Sequence, residues 1–343
     1  MSSDPAATVV VTGAAGWLGQ NLVRALAPTR DRVRALVQAP SEAPLLELAG
    51  PSVEAVVGDV RDPDAVDRLF ADVAGATVVH AAGVIHPDGR TRPFFDVNVG
   101  GTQMVLDRAR RARAGRFVHI SSNSPFGANA APTDRFDEGS APNPYLAYGR
   151  SKLDAEDLVR RGFGRGDIEA VILRPPWFYG PFQPRRQDRF FSALRRGRFP
   201  MVGDGRQQRS MVFTGNLVRA CLAAEVADGV AGRAYWVADA EPYELRRIFA
   251  GVREALEAEG LAVSGPDAPR LPRRVADLAA RADALLQGVD RYVQPLHVLG
   301  ELRDTIACDI GRARAELGYE PEVSLVDGMR ASIMWCLERG RRL

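Results

Sequence analysis

Three glycines, Gly13, Gly16 and Gly19, stand between a β-branched run, Thr8–Thr12, and an amphipathic stretch, Trp17–Leu26. Glycine at such places permits a tight turn, close backbone approach to a pyrophosphate and close packing of helix on strand. The helix start adds free N–H groups and the positive end of a dipole. The spacing, G-x-x-G-x-x-G, is one residue longer than the commonest dinucleotide fingerprint. In a strand–turn–helix context it nevertheless marks Gly13, Ala15, Gly16, Trp17, Leu18 and Gly19 as candidate cofactor contacts.

The same alternation continues along the chain. Strand-like runs at Val33–Val37, Val53–Val57, Thr77–His80, Arg116–Ser121 and Ile168–Leu173 are interleaved with helical stretches at Asp64–Val73, Val97–Arg113 and Tyr145–Arg161. Such a rhythm predicts an α/β, doubly wound parallel (Rossmann) sheet that takes its ligands outside the carboxyl ends of the strands. After Arg174 the pattern breaks at Pro175-Pro176, then resumes with a helix at Phe213–Glu225 and a strand at Arg233–Ala238. Residues 1–174 and 212–240 are expected to form the dinucleotide-binding domain. Residues 175–211 and 241–343 are expected to form a smaller, mostly helical substrate domain, with a helix at Gln187–Arg195, a break at Gly265–Pro272 and a closing helix at Leu325–Arg339.

Composition narrows the class. The chain of 343 residues is 46% hydrophobic and 26% charged, enough for a sizeable core, which excludes disordered and fibrous chains. No apolar stretch has the length of a membrane span, and Met1–Thr8 has no signal pattern, so a soluble, cytoplasmic protein is expected. Three cysteines without C-x-x-C spacing and four histidines suggest no metal site. Of the 45 basic residues all but Lys152 are arginine, yet no polybasic tail or basic–aromatic strip points to nucleic acid. A homodimer is compatible with all of this.

An acid at the end of the second strand would mark NAD by binding the ribose 2′-hydroxyl. Here that strand ends Leu36-Val37-Gln38-Ala39, so Gln38 occupies the 2′ position, NADP is admitted, and the choice tilts toward it. Arg34 is expected to face solvent. Asp59 and Val60, after the third strand, suit the adenine amino group and ring. The small residues Ala81, Ala82 and Gly83 allow a close backbone approach to the cofactor, and His80 is expected to be packed or bonded to backbone rather than catalytic.

Tyr148 and Lys152, four apart on a predicted helix, share one face. A phenol ionises near pH 10, and a neighbouring ammonium favours the phenolate that a proton-transfer catalyst needs. Ser121-Ser122-Asn123-Ser124 ends the fifth strand at the same edge of the sheet, where a hydroxyl can hold a substrate oxygen.

Together, the glycine motif, Asp59, His80–Gly83, the serines, Tyr148-x-x-x-Lys152 and Leu173-Arg174-Pro175-Pro176 resemble the extended short-chain dehydrogenase/reductase superfamily over nearly the whole chain. The resemblance implies Ser122, Tyr148 and Lys152 as catalytic residues. It gives Lys152 a second role on the nicotinamide ribose, adds Pro175 to the cofactor contacts, and makes Asn98 a structural residue beneath the site. Asn123-Ser124 replaces the Asp-Glu pair of the dehydratase branch, which disfavours dehydration.

Two signals bear on the small-molecule substrate. The segment Leu173–Pro181 and the tail from Glu316 to Trp335 resemble the 3β-hydroxysteroid dehydrogenase branch, with Trp177 suited to an apolar ring and Ser122 and Asn123 to its oxygen. In contrast, Gly203–Arg209 is similar to the sugar-nucleotide epimerase motif, in which Arg209 would meet a diphosphate. The first implies an NAD(P)-dependent alcohol/ketone oxidoreductase, the second a nucleotide-sugar epimerase or ketoreductase. A non-catalytic NAD(P)-sensing regulator is disfavoured because Tyr148 and Lys152 are both present.

Overall fold

The computed structural model describes residues 6–166, 168–264 and 269–343. Four of the residues in the expected break at Gly265–Pro272 lie outside them. Six strands, β1 (Thr8–Thr12), β2 (Arg32–Val37), β3 (Val53–Val57), β4 (Thr77–His80), β5 (Arg116–Ile120) and β6 (Glu169–Arg174), join a seventh, Ala234–Trp236. All pair in parallel, in the order 234–236, β6, β5, β4, β1, β2, β3. The order reverses between β1 and β4, the switch point where such sheets bind ligands.

Alternation along each strand divides the core. Val9 and Val11 face one side, with the helices Trp17–Leu26 and Thr214–Val226. Val10 and Val78 face the other, with the helices Pro63–Leu69, Thr102–Arg111 and Leu146–Gly164. A third cluster, around Tyr179, Phe191, Met201, Phe249, Met329 and Trp335, forms the separate core beyond the strand ends. Residues Ile306–Tyr319, expected in the smaller unit, instead pack Ile306, Cys308, Ile310 and Tyr319 with the core of the sheet.

Two local expectations change. The helix expected over Val97–Arg113 opens with a π-helical turn, Asp96–Gly101, before its regular part. Arg34 is not at the surface: it is 8% exposed, bonding Glu54 at 3.0 Å and the carbonyls of Leu69 and Arg68 at the end of the Pro63–Leu69 helix. Unpaired carbonyls at a helix carboxyl end attract a cation, which is what draws this side chain inward.

Candidate active site

The glycine turn has the geometry that the sequence required. Gly13 has φ +67°, and a Cβ there would lie 2.7 Å from Ala82 N and 2.8 Å from the Ala81 carbonyl, so the turns after β1 and β4 abut as backbone against backbone. Gly16 caps the helix Trp17–Leu26 with no side-chain bond, and no acid stands in its first turn. Its first N–H groups are thus left for an anion, and the cradle fits a dinucleotide pyrophosphate. Trp17 donates from Nε1 to the Gly180 carbonyl at 3.1 Å, tying this turn to the chain beyond β6.

At the adenosine end, Asp59 accepts three bonds from Arg61, each 2.8 Å, and this pairing holds its carboxyl below the usual range. Val60, expected against the adenine ring, turns its side chain into the core, where a Cβ on Gly101 would lie 2.7 Å from it. The neighbourhood of Gln38 contains an acid that the end of the strand did not reveal. Glu42 accepts from the backbone N–H of Gln38 at 2.9 Å and of Ala39 at 3.2 Å. It sits in the next turn of chain rather than on β2.

His80 is fully buried between two hydroxyls, Thr12 Oγ1 on Nδ1 at 2.7 Å and Thr102 Oγ1 on Nε2 at 2.9 Å, and burial pushes it down to about 3. It is a neutral structural ring, bonded by side chains rather than by backbone. Ala81, Ala82 and Gly83 follow it to the strand edge. Asn98, on the π-helical turn, accepts from Val84 N at 2.8 Å and donates to Val84 O and Ser151 Oγ, both at 3.0 Å. Ser151 in turn donates to the Tyr148 carbonyl at 2.8 Å. Asn98 therefore fastens the loop after β4 to the helix that carries the tyrosine.

That helix, Leu146–Gly164, turns Tyr148 and Lys152 toward the end of β5. Lys152 is 4% exposed and donates from Nζ to the Ile120 carbonyl at 2.7 Å; burial pushes its ammonium down to about 8, opposed by the Glu156 carboxylate. Burial pushes the Tyr148 phenol up to about 12, opposed by its hydrogen bond with Ser122. Among charges, Glu301 raises the phenol further and Arg186 lowers it. Ser122 also supports Ser124, whose N–H donates to Ser122 Oγ at 3.3 Å, and Asn123 Oδ1 lies 3.4 Å from the same hydroxyl. Glu156, fully buried, gathers Ser121 Oγ at 2.6 Å and Arg174 at 2.8 and 3.0 Å, and so braces the strand end bearing Ile120 and Ser122.

Tyr148 bonds Ser122 and Lys152 seats on Ile120, so the three gather at the end of β5, next to the strand β4 whose following turn abuts Gly13, and Pro175 lies buried just past β6. Around Tyr148 stand residues that no motif indicated. Phe94 lies 5.5 Å from its ring and 5.5 Å, edge-on, from Tyr292, whose hydroxyl meets His86 Nδ1 at 2.5 Å. Trp177 and Arg209, assigned to rival substrates, touch each other: the Arg209 guanidinium stacks 4.7 Å from the Trp177 ring centre. Arg209 is 2% exposed, and its Nη2 donates to the Glu301 carbonyl. Among the described residues no cluster of His, Cys, Asp or Glu has the makings of a metal site.

Residues 9–238 match the model of the NAD dependent epimerase/dehydratase family. A 4-hydroxy-2-methyl-3-oxo-4-farnesyl-3,4-dihydroquinoline-1-oxide ketoreductase of Stigmatella aurantiaca is 30% identical, covering 94% of each chain. A 3 beta-hydroxysteroid dehydrogenase/Delta 5-->4-isomerase of Mycobacterium tuberculosis is 31% identical over 91% of this chain and 86% of its own. The UDP-glucuronic acid 4-epimerase of Bacillus cereus, solved with NAD, shares the fold with a TM-score of 0.76 at 22% identity, over 97% of this chain and 99% of its own.

Proposed function

The chain belongs to the NAD-dependent epimerase/dehydratase family, and on that premise we propose that it is a 3β-hydroxysteroid dehydrogenase-like oxidoreductase acting on a secondary alcohol or ketone carbon of an apolar ring substrate. One observation carries the choice of substrate. The arginine that a nucleotide-sugar diphosphate would need is enclosed: Arg209 is 2% exposed, stacked on Trp177 and bonded through Nη2 to the Glu301 carbonyl. Its Nε has no partner among the described residues, but the guanidinium must still leave the Trp177 stack and the Glu301 carbonyl before it can meet a phosphate. Phe94 and Tyr292 are buried behind the phenol, 0% and 4% exposed, and back it with an apolar wall. The names of the two relatives above fit the same class.

Each residue of the site then has a task. Tyr148 Oη holds the proton that is given to, or taken from, the substrate oxygen, and Ser122 Oγ, already its partner, fixes that oxygen within reach. Lys152, seated on Ile120, presents a compact ammonium to the nicotinamide ribose, and Glu156 keeps that seat rigid through Ser121. A bound nicotinamide dinucleotide supplies the hydride-carrying ring.

For the cofactor we infer NAD. Glu42 places a carboxylate beside Gln38, where it would repel a 2′-phosphate and accept from a 2′-hydroxyl, against the tilt toward NADP that strand β2 alone suggests. One experiment addresses both parts. NADH and NADPH are titrated by fluorescence into wild type and Tyr148→Phe, and turnover is scanned over hydroxysteroids, cyclic ketones and nucleotide sugars. NADH is expected to bind more tightly in both proteins, with turnover on ring ketones or alcohols in wild type only. Tyr148→Phe turnover within tenfold of wild type, or preference for a nucleotide sugar, would overturn the proposal.

A further inference from the structure

Eight large apolar side chains are well exposed among the described residues, and four of them, Val275, Leu278, Leu285 and Val289, fall on one segment. Three lie on the helix Arg273–Gln287 and the fourth in the turn that ends it. Val275, Leu278 and Leu285, spaced 3 and 7 apart, share one stripe of the helix, away from the face that buries Ala276, Ala279, Ala280 and Asp283, and Val289 follows in the turn. Exposure is 41% at Val275, 68% at Leu278, 77% at Leu285 and 67% at Val289, so the described residues leave them largely uncovered. A contiguous apolar stripe of this kind costs solubility unless something docks there.

The polar edge of the stripe identifies what does. Arg274 and Arg281, both exposed, follow its solvent side. The acids of this segment are committed elsewhere: Asp277 to Arg303 at 3.1 Å, Asp283 to His297 at 2.8 Å, and Asp290 to Thr91 at 2.8 Å. The face is therefore apolar with a cationic rim. A second copy of the chain meeting it across a two-fold axis would set that rim against itself. A bilayer with acidic headgroups offers acyl boundary to the stripe and phosphate to the rim. At 15 residues the helix is about 22 Å long, shorter than the hydrocarbon core, so it lies in the interface rather than crossing it.

We propose that the outward face of Arg273–Gln287 is a docking surface for an anionic lipid bilayer, with Leu278, Leu285 and Val289 entering the acyl boundary and Arg274 and Arg281 meeting lipid phosphates. The helix ends beside the site: Gln287 accepts from the N–H of Ala147, the neighbour of Tyr148, and Tyr292 follows at once. Docking would hold the substrate side of the catalytic helix near the membrane surface, where an apolar substrate dissolves. The proposal stands apart from the identity of that substrate, because binding is measured without it.

The test is co-sedimentation of the NAD-loaded protein with phosphatidylcholine vesicles, with and without phosphatidylglycerol. Wild type is expected to pellet with the phosphatidylglycerol vesicles and to be released by salt. Leu278→Glu/Leu285→Glu should weaken that binding by about tenfold or more, and Arg274→Glu/Arg281→Glu should abolish the preference for phosphatidylglycerol. Both variants change exposed positions only, so their melting temperatures and NADH affinity should match wild type. Wild type staying in the supernatant, or a Leu278→Glu/Leu285→Glu variant that pellets as well as wild type, would overturn the proposal. So would a wild-type dimer in solution that this variant converts to monomer, because a second copy would then cover the face.

Discussion

Lys152 is the only lysine in a chain that otherwise uses arginine for every cation, and it is almost wholly buried, with its ammonium on one backbone carbonyl. An ammonium is compact and tetrahedral, so it can take the Ile120 carbonyl and still direct N–H groups at ribose hydroxyls. A guanidinium is a larger planar fork with no room to do both. Lys152→Arg is therefore expected to lower turnover by at least a hundredfold although charge is kept. Amine-directed labelling gives an independent check, since NAD should protect Lys152. Full activity in Lys152→Arg, or labelling indifferent to saturating NAD, would show that the lysine is incidental. The residue itself was legible in the sequence because its rarity made the spacing to Tyr148 conspicuous. The upward shift of the Tyr148 phenol was not, because the burial that causes it is set only by the fold.

At the scale of elements, the site is an edge made of turns, and the turns hold because side chains are missing. Gly13 combines φ +67° with backbone of Ala81 and Ala82 inside the space a Cβ would occupy. Alanine there must separate β1 from β4 or distort both turns, which carries a backbone penalty of about 1–3 kcal/mol. Gly13→Ala is accordingly expected to weaken NADH binding at least tenfold and to lower the melting temperature; unchanged affinity by fluorescence titration would remove the turn from the cofactor site. These strand–turn–helix units were visible in the sequence because period and glycine spacing are local properties. Glu42 escaped notice because it reaches the end of β2 from a following turn, and Tyr292 and His86 because they meet only through the tertiary fold. Arg34 was misplaced for a similar reason: helix-end carbonyls drew inward a side chain that strand alternation alone left in solvent.

At the scale of the molecule, the sheet carries buried titratable groups beneath the ends of its strands. His80 and His119 stack 5.5 Å apart on adjacent strands, both fully buried, and burial pushes His80 down to about 3 and His119 well below its ordinary value. In the unfolded chain each takes up a proton near pH 6.5. Between about pH 3 and 6.5 the unfolded state therefore binds more protons than the folded state, so stability is full above that window and falls as pH drops through it. For His80 alone the loss between pH 7 and pH 5 is about 2 kcal/mol. Asp239, pushed up to about 6 by burial, acts in the opposite sense, because its folded form is the one that takes up protons as the solution is acidified. A bulk acid titration mixes these contributions, and substitution separates them. His80→Gln should be less stable than wild type at pH 7, having lost its fitted bonds to Thr12 and Thr102. Its further loss from pH 7 to pH 5, measured by urea unfolding, should be smaller than the wild-type loss by about 2 kcal/mol. Equal losses in the two proteins would mean that the ring gains its proton within the folded chain, and that the layer of hydroxyls and histidines under the active site admits charge.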